Sequence, residues 1–150
     1  MTIPRKSWIV VADGSKASIF LRQGRHGDLE PLKRMESGEA RAHTGDIVSD
    51  RAGRVTESSA TGRHAYEPRT DPHRHAEEVF VKSVADYVGT HPGGLPYDQL
   101  IIVAPAKTLG QFRRDLPKPA HNAVRHEVDK DLVHMPDDKI AEHIRALDLS

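Results

Sequence analysis

The chain of 150 residues contains no cysteine. Disulfide bonds, thiolate zinc sites, iron–sulfur clusters and a cysteine nucleophile are therefore excluded. The chain also has no net charge, because 22 Lys and Arg residues balance 22 Asp and Glu residues. A balanced charge provides no long-range attraction to nucleic acid or to an anionic membrane, so only local charged patches can serve such partners.

Long apolar runs and several enzyme motifs are missing as well. No segment approaches the roughly 20 consecutive apolar residues that span a bilayer, which predicts a cytoplasmic protein without a membrane span. A Gly-x-Ser-x-Gly elbow, a phosphate-loop pattern and a dinucleotide-binding glycine pattern are all absent. Serine-hydrolase, P-loop and dinucleotide-binding chemistry therefore have no support. The sequence predicts no cofactor and no catalytic residue.

The chain contains enough apolar residues for a packed core. Hydrophobic residues make up 37% of the chain, and there are 11 glycines besides. Together they approach the roughly 45–50% apolar content of globular domains. The length is also that of one domain. We therefore expect a single domain over residues 1–150, and the sequence leaves its oligomeric state open.

Three β-strands are predicted near the start of the chain. Ser7–Ala12 (SWIVVA) is short and β-branched, and Asp13-Gly14 favours a tight turn into a second strand, Lys16–Leu21. A third strand is predicted over Leu29–Met35. Because Pro31 cannot donate a ladder hydrogen bond, this strand is expected at an edge of the sheet.

Helices and strands then alternate. Asp71-Pro72 is typical of a helix start, and the helical spacing of apolar residues continues to a helix end near Gly89. Gln99–Ala104 (QLIIVA) is a continuous apolar strand, expected in the centre of the sheet with both faces buried. A second helix, marked by Leu109, Phe112 and Leu116, follows and is stopped by Pro117. A final strand is marked by the alternating residues Val124, His126 and Val128. The last helix is marked by Ile140, Ile144 and Leu147.

The predicted order of elements is βββαβαβα. Three sequential strands followed by alternating helix and strand indicate an antiparallel meander on one side of a mixed five-stranded sheet, and crossover helices on the other. The fold class is thus α/β, with a mixed five-stranded sheet flanked by helices in a ribonuclease-H-like architecture.

The segment from about 38 to 70 shows neither helical nor strand periodicity. A connection of this length without secondary structure is usually functional or disordered. It carries five arginines and no lysine, interleaved with acidic residues. A solvated loop and a phosphate-binding loop both remain open. The five arginines are Arg41, Arg51, Arg54, Arg63 and Arg69.

A second basic cluster follows the buried strand. Residues 105–118 contain only one acidic residue, Asp115, but four basic ones: Lys107, Arg113, Arg114 and Lys118. Such a cluster can pair with phosphates, although a solvated helix face is the slightly simpler interpretation. The candidate RNA- or phosphate-binding residues are Arg51, Arg54, Lys107, Arg113 and Arg114.

Metal chemistry has weaker support. A two-metal nuclease needs several carboxylates at strand ends and on a helix. Asp13 and Glu77 or Glu78 are available for such a site, but the buried strand ends in Ala104-Pro105, without a ligand. Asp13 is better explained as a turn residue, and the two glutamates as polar helix-face residues.

A histidine site near the helix start has no better support. His73 and His75, with Asp71 nearby, form a possible ligand set. Residues two apart on a helix point about 200° apart, so the two imidazoles do not readily face one ion. No metal site is therefore predicted.

Several segments together resemble the bacterial host-attachment protein family, over essentially residues 7–147. The resemblance implies a fold similar to the middle domain of the eukaryotic peptide-chain release factor, and a tie to the ribosome. The segments are Trp8–Ser15 (WIVVADGS), Asp50–Arg54 (DRAGR), His75–Phe80 (HAEEVF), Tyr97–Pro105 (YDQLIIVAP), and Glu127-Val128 with Lys130–Leu132.

The resemblance does not extend to release chemistry. The release factor depends on a Gly-Gly-Gln tripeptide, whereas the only Gly-Gly pair here, Gly93-Gly94, precedes Leu95. We therefore expect a non-enzymatic binding module that contacts RNA or the ribosome. A module that binds another protein, in an attachment-related or regulatory role, is the alternative. A metal-dependent nuclease or other hydrolase is a distant third.

Overall fold

The computed structural model describes residues 3–41 and 71–150. These ranges contain five strands and four longer helices, with a short helical turn at residues 38–41. The strands are β1 (Lys6–Ala12), β2 (Lys16–Gln23), β3 (Glu30–Glu36), β4 (Gln99–Ala104) and β5 (Val124–Asp129). The helices are α1 (Pro72–Gly89), α2 (Ala106–Asp115), α3 (Lys118–Ala123) and α4 (Asp137–Leu147).

The strands form one mixed sheet with the order β3-β2-β1-β4-β5. β1 pairs antiparallel with β2, and β2 pairs antiparallel with β3. On the other side, β1, β4 and β5 run parallel. The predicted mixed sheet, with its meander and crossover helices, is confirmed, and so is the edge position of the strand that contains Pro31.

The turn between β1 and β2 is built on the side chain of Asp13. Its Oδ1 atom accepts hydrogen bonds from the backbone N–H groups of Ser15 and Lys16, both at 2.9 Å. A short carboxylate that binds the backbone two and three residues ahead stabilises a tight turn. The predicted hairpin is confirmed, with Asp13 in the predicted turn.

The sheet is covered on both faces. Successive residues of a strand point to opposite faces, so Trp8, Val10 and Ala12 pack under α1, α2 and α3. Ile9 and Val11 belong to the second cluster, which includes Ile140 and Ile144 of α4. Hence the chain forms three layers, with α4 alone on its face among the described helices.

The start of α1 follows from side-chain capping. The carboxylate of Asp71 accepts a hydrogen bond from the N–H of His73 at 3.0 Å, and Pro72 occupies the first turn of α1. The sequence correctly predicts this start and the end near Gly89. It misses α3, because Pro117 ends α2 and at the same time occupies the N-cap of the next short helix.

β4 is buried along its whole length, as its apolar run predicts. It is an inner strand, but β1 occupies the middle of the sheet. An apolar run reports that both faces are covered, not where the strand lies in the order. None of the helices in the described ranges has the length and hydrophobicity that crossing a membrane requires.

Candidate functional site

Polar side chains gather where the three parallel strands end. The carboxyl ends of β1, β4 and β5 meet at one edge of the sheet, followed by Asp13, Pro105 and Lys130 respectively. Next to β1, the neighbouring strand reverses direction. In open α/β sheets, ligands bind in the crevice outside the carboxyl ends of the strands.

An open cavity of about 610 Å³ lies at this edge. It is lined by the turn after β1, the start of α1, the first turns of α2 and the loop after β5. Its lining combines apolar surface with charged and imidazole groups of mixed sign, and in such cavities a few polar groups orient the ligand. The charged and imidazole groups are Asp13, Arg41, His73, Glu77, Lys107 and His134.

Glu77 joins three parts of this cavity. Its Oε2 lies 3.3 Å from Nε2 of His73, and its Oε1 lies 3.4 Å from Nζ of Lys107. The side chain is 25% exposed and lies against Gly14, where a Cβ atom would meet Glu77 Oε2 at 2.6 Å. Glu77 is thus a half-buried group that links α1, α2 and the β1–β2 turn, rather than the solvated polar-face residue that the sequence suggests.

A second cluster lies beside the first. Nε2 of His134 is 2.7 Å from Oδ2 of Asp13. Ligand atoms of Asp13, Asp131 and His134 all lie within 4.8 Å of one another. Sequence reasoning missed this group, although Asp13 follows a predicted strand and Asp131 lies just after another. Both strands run parallel to β4, which lies between them, and this arrangement brings their carboxyl ends and the two carboxylates to one edge of the sheet.

The histidines near the start of α1 do not form a site together. His73 lines the large cavity. His75 lines a separate depression of about 420 Å³ between α1 and α2. The carboxylate of Asp71 caps the helix. The two imidazoles therefore lie in different depressions, as their spacing predicts.

The nuclease hypothesis gains Asp131 but still lacks a ligand on β4. That strand ends in Ala104 and is followed by Pro105, and neither residue can bind a cation through its side chain. Among the described residues, the candidate metal ligands form one three-residue group. A single ion fits such a group, whereas a two-metal centre requires more carboxylates.

The five predicted phosphate-binding residues fall into three groups. Arg51 and Arg54 lie outside the described residues. Lys107 lines the large cavity, and Arg114 lines the depression between α1 and α2. Arg113 binds Glu127 of β5 instead, with Nε and Nη2 at 2.8 and 2.6 Å from Oε1.

Helix geometry explains why neighbouring arginines separate. At 3.6 residues per turn, Lys107 and Arg114 lie within about 20° of each other around α2, whereas Arg113 is about 120° from Lys107. The hydrogen bond to Glu127 and the charge of that carboxylate raise the pKa of Arg113 above its usual value. Arg113 therefore joins α2 to β5.

Gln111 lies between Lys107 and Arg114 and lines both depressions. Its Nε2 donates hydrogen bonds to the carbonyl of Glu78 at 2.9 Å and to Oδ2 of Asp115 at 3.1 Å. Lys107, Gln111 and Arg114 thus lie in one row at positions i, i+4 and i+7, with the cations of Lys107 and Arg114 on either side of a glutamine whose two amide N–H groups are already engaged. We call this row the α2 flank.

The sequence of residues 8–144 matches the family model described as "Protein required for attachment to host cells". The chain belongs to this family. The match includes all five strands, except the first two residues of β1, and most of α4. The predicted family is therefore confirmed. No curated protein matches the sequence of this host-attachment family member.

Solved structures resemble the fold of this host-attachment chain. An archaeal translation termination factor superposes with a TM-score of 0.52 at 13% identity, over 95% of this chain and 39% of that protein. A PilM–PilN type IV pilus biogenesis complex gives 0.42 at 15% identity, over 97% of this chain and 45% of the matched one. The chain thus spans less than half the length of either. The first likeness supports the release-factor-like fold, and the second is too low to carry an argument.

Proposed function

We propose that this member of the host-attachment family is a non-enzymatic binding module that contacts the phosphates of RNA through the α2 flank. The observation that carries the proposal is the pair of cations in this row, Lys107 and Arg114, which border two adjoining surface depressions. Roughly half to two-thirds of protein–DNA hydrogen bonds go to phosphate and sugar, and Lys and Arg side chains are among their donors.

The two cations of this row are available to a ligand. Arg114 is exposed and has no hydrogen bond or ion pair with another described residue. Lys107 is 70% exposed, and its contact with Glu77 is long, at 3.4 Å. Exposed ion pairs of this kind contribute little to stability. An incoming phosphate can therefore replace the carboxylate at small cost.

The ribosome is the RNA-containing partner that the fold suggests. The archaeal protein with the similar fold is, by its name, a translation termination factor. Fold alone does not carry function, so this likeness supports the choice of partner and nothing more. The RNA contact itself rests on the α2 flank.

A salt titration tests the contact. The full chain is mixed with fluorescently labelled single-stranded RNA, and affinity is measured by anisotropy over a series of KCl concentrations. In the double variant Lys107→Gln/Arg114→Gln, we expect weaker binding. The slope of log affinity against log salt should fall by roughly 1.4, because each phosphate contact contributes about 0.7 with single strands.

The matched control removes the same charges elsewhere. Lys139 and Arg145 lie on α4, on the opposite face of the sheet, and form long exposed ion pairs of 3.7 and 3.8 Å. Lys139→Gln/Arg145→Gln should therefore keep the wild-type slope. Equal losses in both double variants, or no binding by the wild type at low salt, would contradict the proposal.

Arg113 was predicted as a contact together with Arg114, and single variants separate the two. Because Arg113 is engaged by Glu127, we expect Arg114→Gln to reduce the salt slope more than Arg113→Gln does. Circular dichroism at matched concentration checks that both variants remain folded. An equal effect of both would return Arg113 to the RNA-binding surface.

Binding to another protein is the second candidate, and one apolar side chain favours it. Val79 is 56% exposed and lines the same depression as Arg114. A protein partner would bury this valine, whereas RNA phosphates would not. Capture of partners from lysate, with and without ribonuclease, separates the candidates. A ribonuclease-resistant protein partner that Val79→Ser releases would favour this second function.

A further inference from the structure

Three side chains with metal-binding atoms meet at the edge of the large cavity. Asp13 directly follows β1, while Asp131 and His134 lie in the loop after β5. One carboxylate oxygen from each aspartate and one ring nitrogen lie within 4.8 Å of one another. The strand between β1 and β5 is β4, which leaves no acidic side chain of its own at this edge.

The backbone holds Asp13 in a fixed orientation. Two backbone N–H groups bind its Oδ1 atom, and its Oδ2 atom lies 2.7 Å from His134 Nε2. Oδ2 is therefore the oxygen available to an ion. Hydrogen bonds to the other atoms of a ligand residue orient it and contribute to metal affinity.

The loop after β5 is anchored between its two candidate ligands. Leu132 and Val133 are buried in the core under α4. A backbone hydrogen bond of 3.0 Å from Met135 to Leu132 closes a turn around them. Asp131 and His134 flank this buried pair and are themselves exposed. Hence the backbone is fixed by burial, while the two side chains remain free to adjust.

From this arrangement we infer that Asp13, Asp131 and His134 form a binding site for one divalent transition-metal ion, for which zinc is the probe. Imidazole nitrogen is a ligand of zinc and its neighbours in the transition series, whereas magnesium and calcium take oxygen ligands. Zinc sites that interact with further molecules have three protein ligands and one open position. Two carboxylates also neutralise the charge of the ion.

Only a small rearrangement is needed to bind zinc. With metal–ligand distances of about 2.1 Å and tetrahedral angles, neighbouring ligand atoms are about 3.4 Å apart. Oδ2 of Asp13 and Nε2 of His134, now 2.7 Å apart, must separate slightly, and the other two pairs, which lie within 4.8 Å, need to change by at most about 1.4 Å to reach that spacing. His134 has a 61% exposed side chain, so its ring can move without disturbing the core.

The ion would lie at the margin of the cavity, because both Asp13 and His134 line it. Its fourth position is then open to water or to an anionic oxygen of a molecule bound there. This site does not depend on the α2 flank, since none of its ligands belongs to that row. The RNA proposal can therefore fail while the metal site stands, and the reverse also holds.

Calorimetric titration of the chelator-treated full chain with zinc chloride tests the inference. We expect saturable binding of one zinc per chain, and affinity at least about tenfold lower in each of Asp13→Asn, Asp131→Asn and His134→Ala. Asn at position 13 keeps the oxygen that accepts the turn hydrogen bonds and replaces the ligand oxygen by an amide nitrogen. The turn is thereby preserved.

Two further measurements guard against zinc bound elsewhere by the 10 histidines of the chain. The control Asp138→Asn/His143→Ala removes an exposed carboxylate and an imidazole from α4 and should leave the affinity unchanged. Cobalt added in place of zinc should give the visible absorption of a tetrahedral site, and His134→Ala should abolish it. Absence of saturable zinc binding, or wild-type affinity in His134→Ala, would overturn the inference.

Discussion

Gly89 at the end of α1 lies so close to the ring of Pro117 that a Cβ atom at position 89 would be 2.5 Å from Pro117 Cδ. The same atom would be 3.2 Å from Cβ of Ala120 in α3. A proline ring on a helix cap cannot rotate away as a long side chain can. This contact therefore fixes how closely α1 and α3 pack.

The substitution Gly89→Ala should destabilise the fold by about 1–3 kcal/mol, the usual cost of overpacking a core. Better helix propensity offsets at most about 1 kcal/mol of this. The measurement is the free energy of unfolding in urea. Gly93→Ala is the control, because a Cβ there meets no atom within 4 Å, and it should change stability by less than about 0.5 kcal/mol. Equal stability of the two variants would contradict the close packing.

His126 should make the stability of the fold depend on pH. Burial, with the charges of Arg125 and Arg22, lowers the pKa of His126 below its ordinary value of 6.5. Its Nε2 atom is buried without a hydrogen-bond partner among the described residues. The unfolded chain therefore takes up a proton at a higher pH than the folded chain does. The contribution to stability is present above pH 6.5 and is lost as pH falls through the lowered folded-state pKa.

The variant His126→Gln removes this titration. Between about pH 7.5 and about pH 5.5, on either side of the ordinary imidazole pKa, the wild type should lose more unfolding free energy than the variant. Urea unfolding at both values provides the comparison, and NMR titration of the His126 ring should give a midpoint below 6.5. Equal losses in the two proteins would refute the assignment.

Arg51 and Arg54 stay predictions from the sequence, since both lie outside the described residues. If they contact RNA phosphates, Arg51→Ala/Arg54→Ala should weaken RNA binding and reduce the salt slope by roughly 1.4. Arg63→Ala/Arg69→Ala removes the same charge from the same segment and serves as control. An identical effect of both pairs would indicate a general charge effect rather than specific contacts.

We expect no cleavage of single-stranded RNA, RNA–DNA hybrid or duplex in the presence of magnesium or manganese. β4 ends in Ala104 and is followed by Pro105, so a second catalytic ion would lack a ligand on that strand. The assay compares wild type with Asp13→Asn under the same conditions. Turnover that this substitution abolishes would restore the nuclease hypothesis.

Local patterns predicted most of the fold. The β-branched run before Asp13-Gly14, the proline in the third strand and the capping pair Asp71-Pro72 each act over a few residues. The sequence therefore suffices to locate them. α3 was missed because a proline that ends one helix can begin another, and the pattern around Pro117 does not separate these roles.

The candidate sites were harder to predict than the fold. The sequence pointed to a basic cluster after β4, but adjacent positions on a helix diverge by about 100°. Arg113 consequently turns to Glu127 and Arg114 to the depression beside α1. The sequence predicted Glu77 to be a solvated surface residue, because no residue near it in the chain indicates that Gly14 packs against its side chain.

By itself, the sequence determined the family, the order of the strands and main helices along the chain, and the turn built on Asp13. Those features depend on residue type and short-range periodicity, which the chain carries wherever it folds. Only the tertiary structure decided that Asp13 meets His134, 121 positions away. That contact exists because β1, β4 and β5 pair in parallel, so their carboxyl ends converge at one edge, and no local pattern encodes the pairing of distant strands.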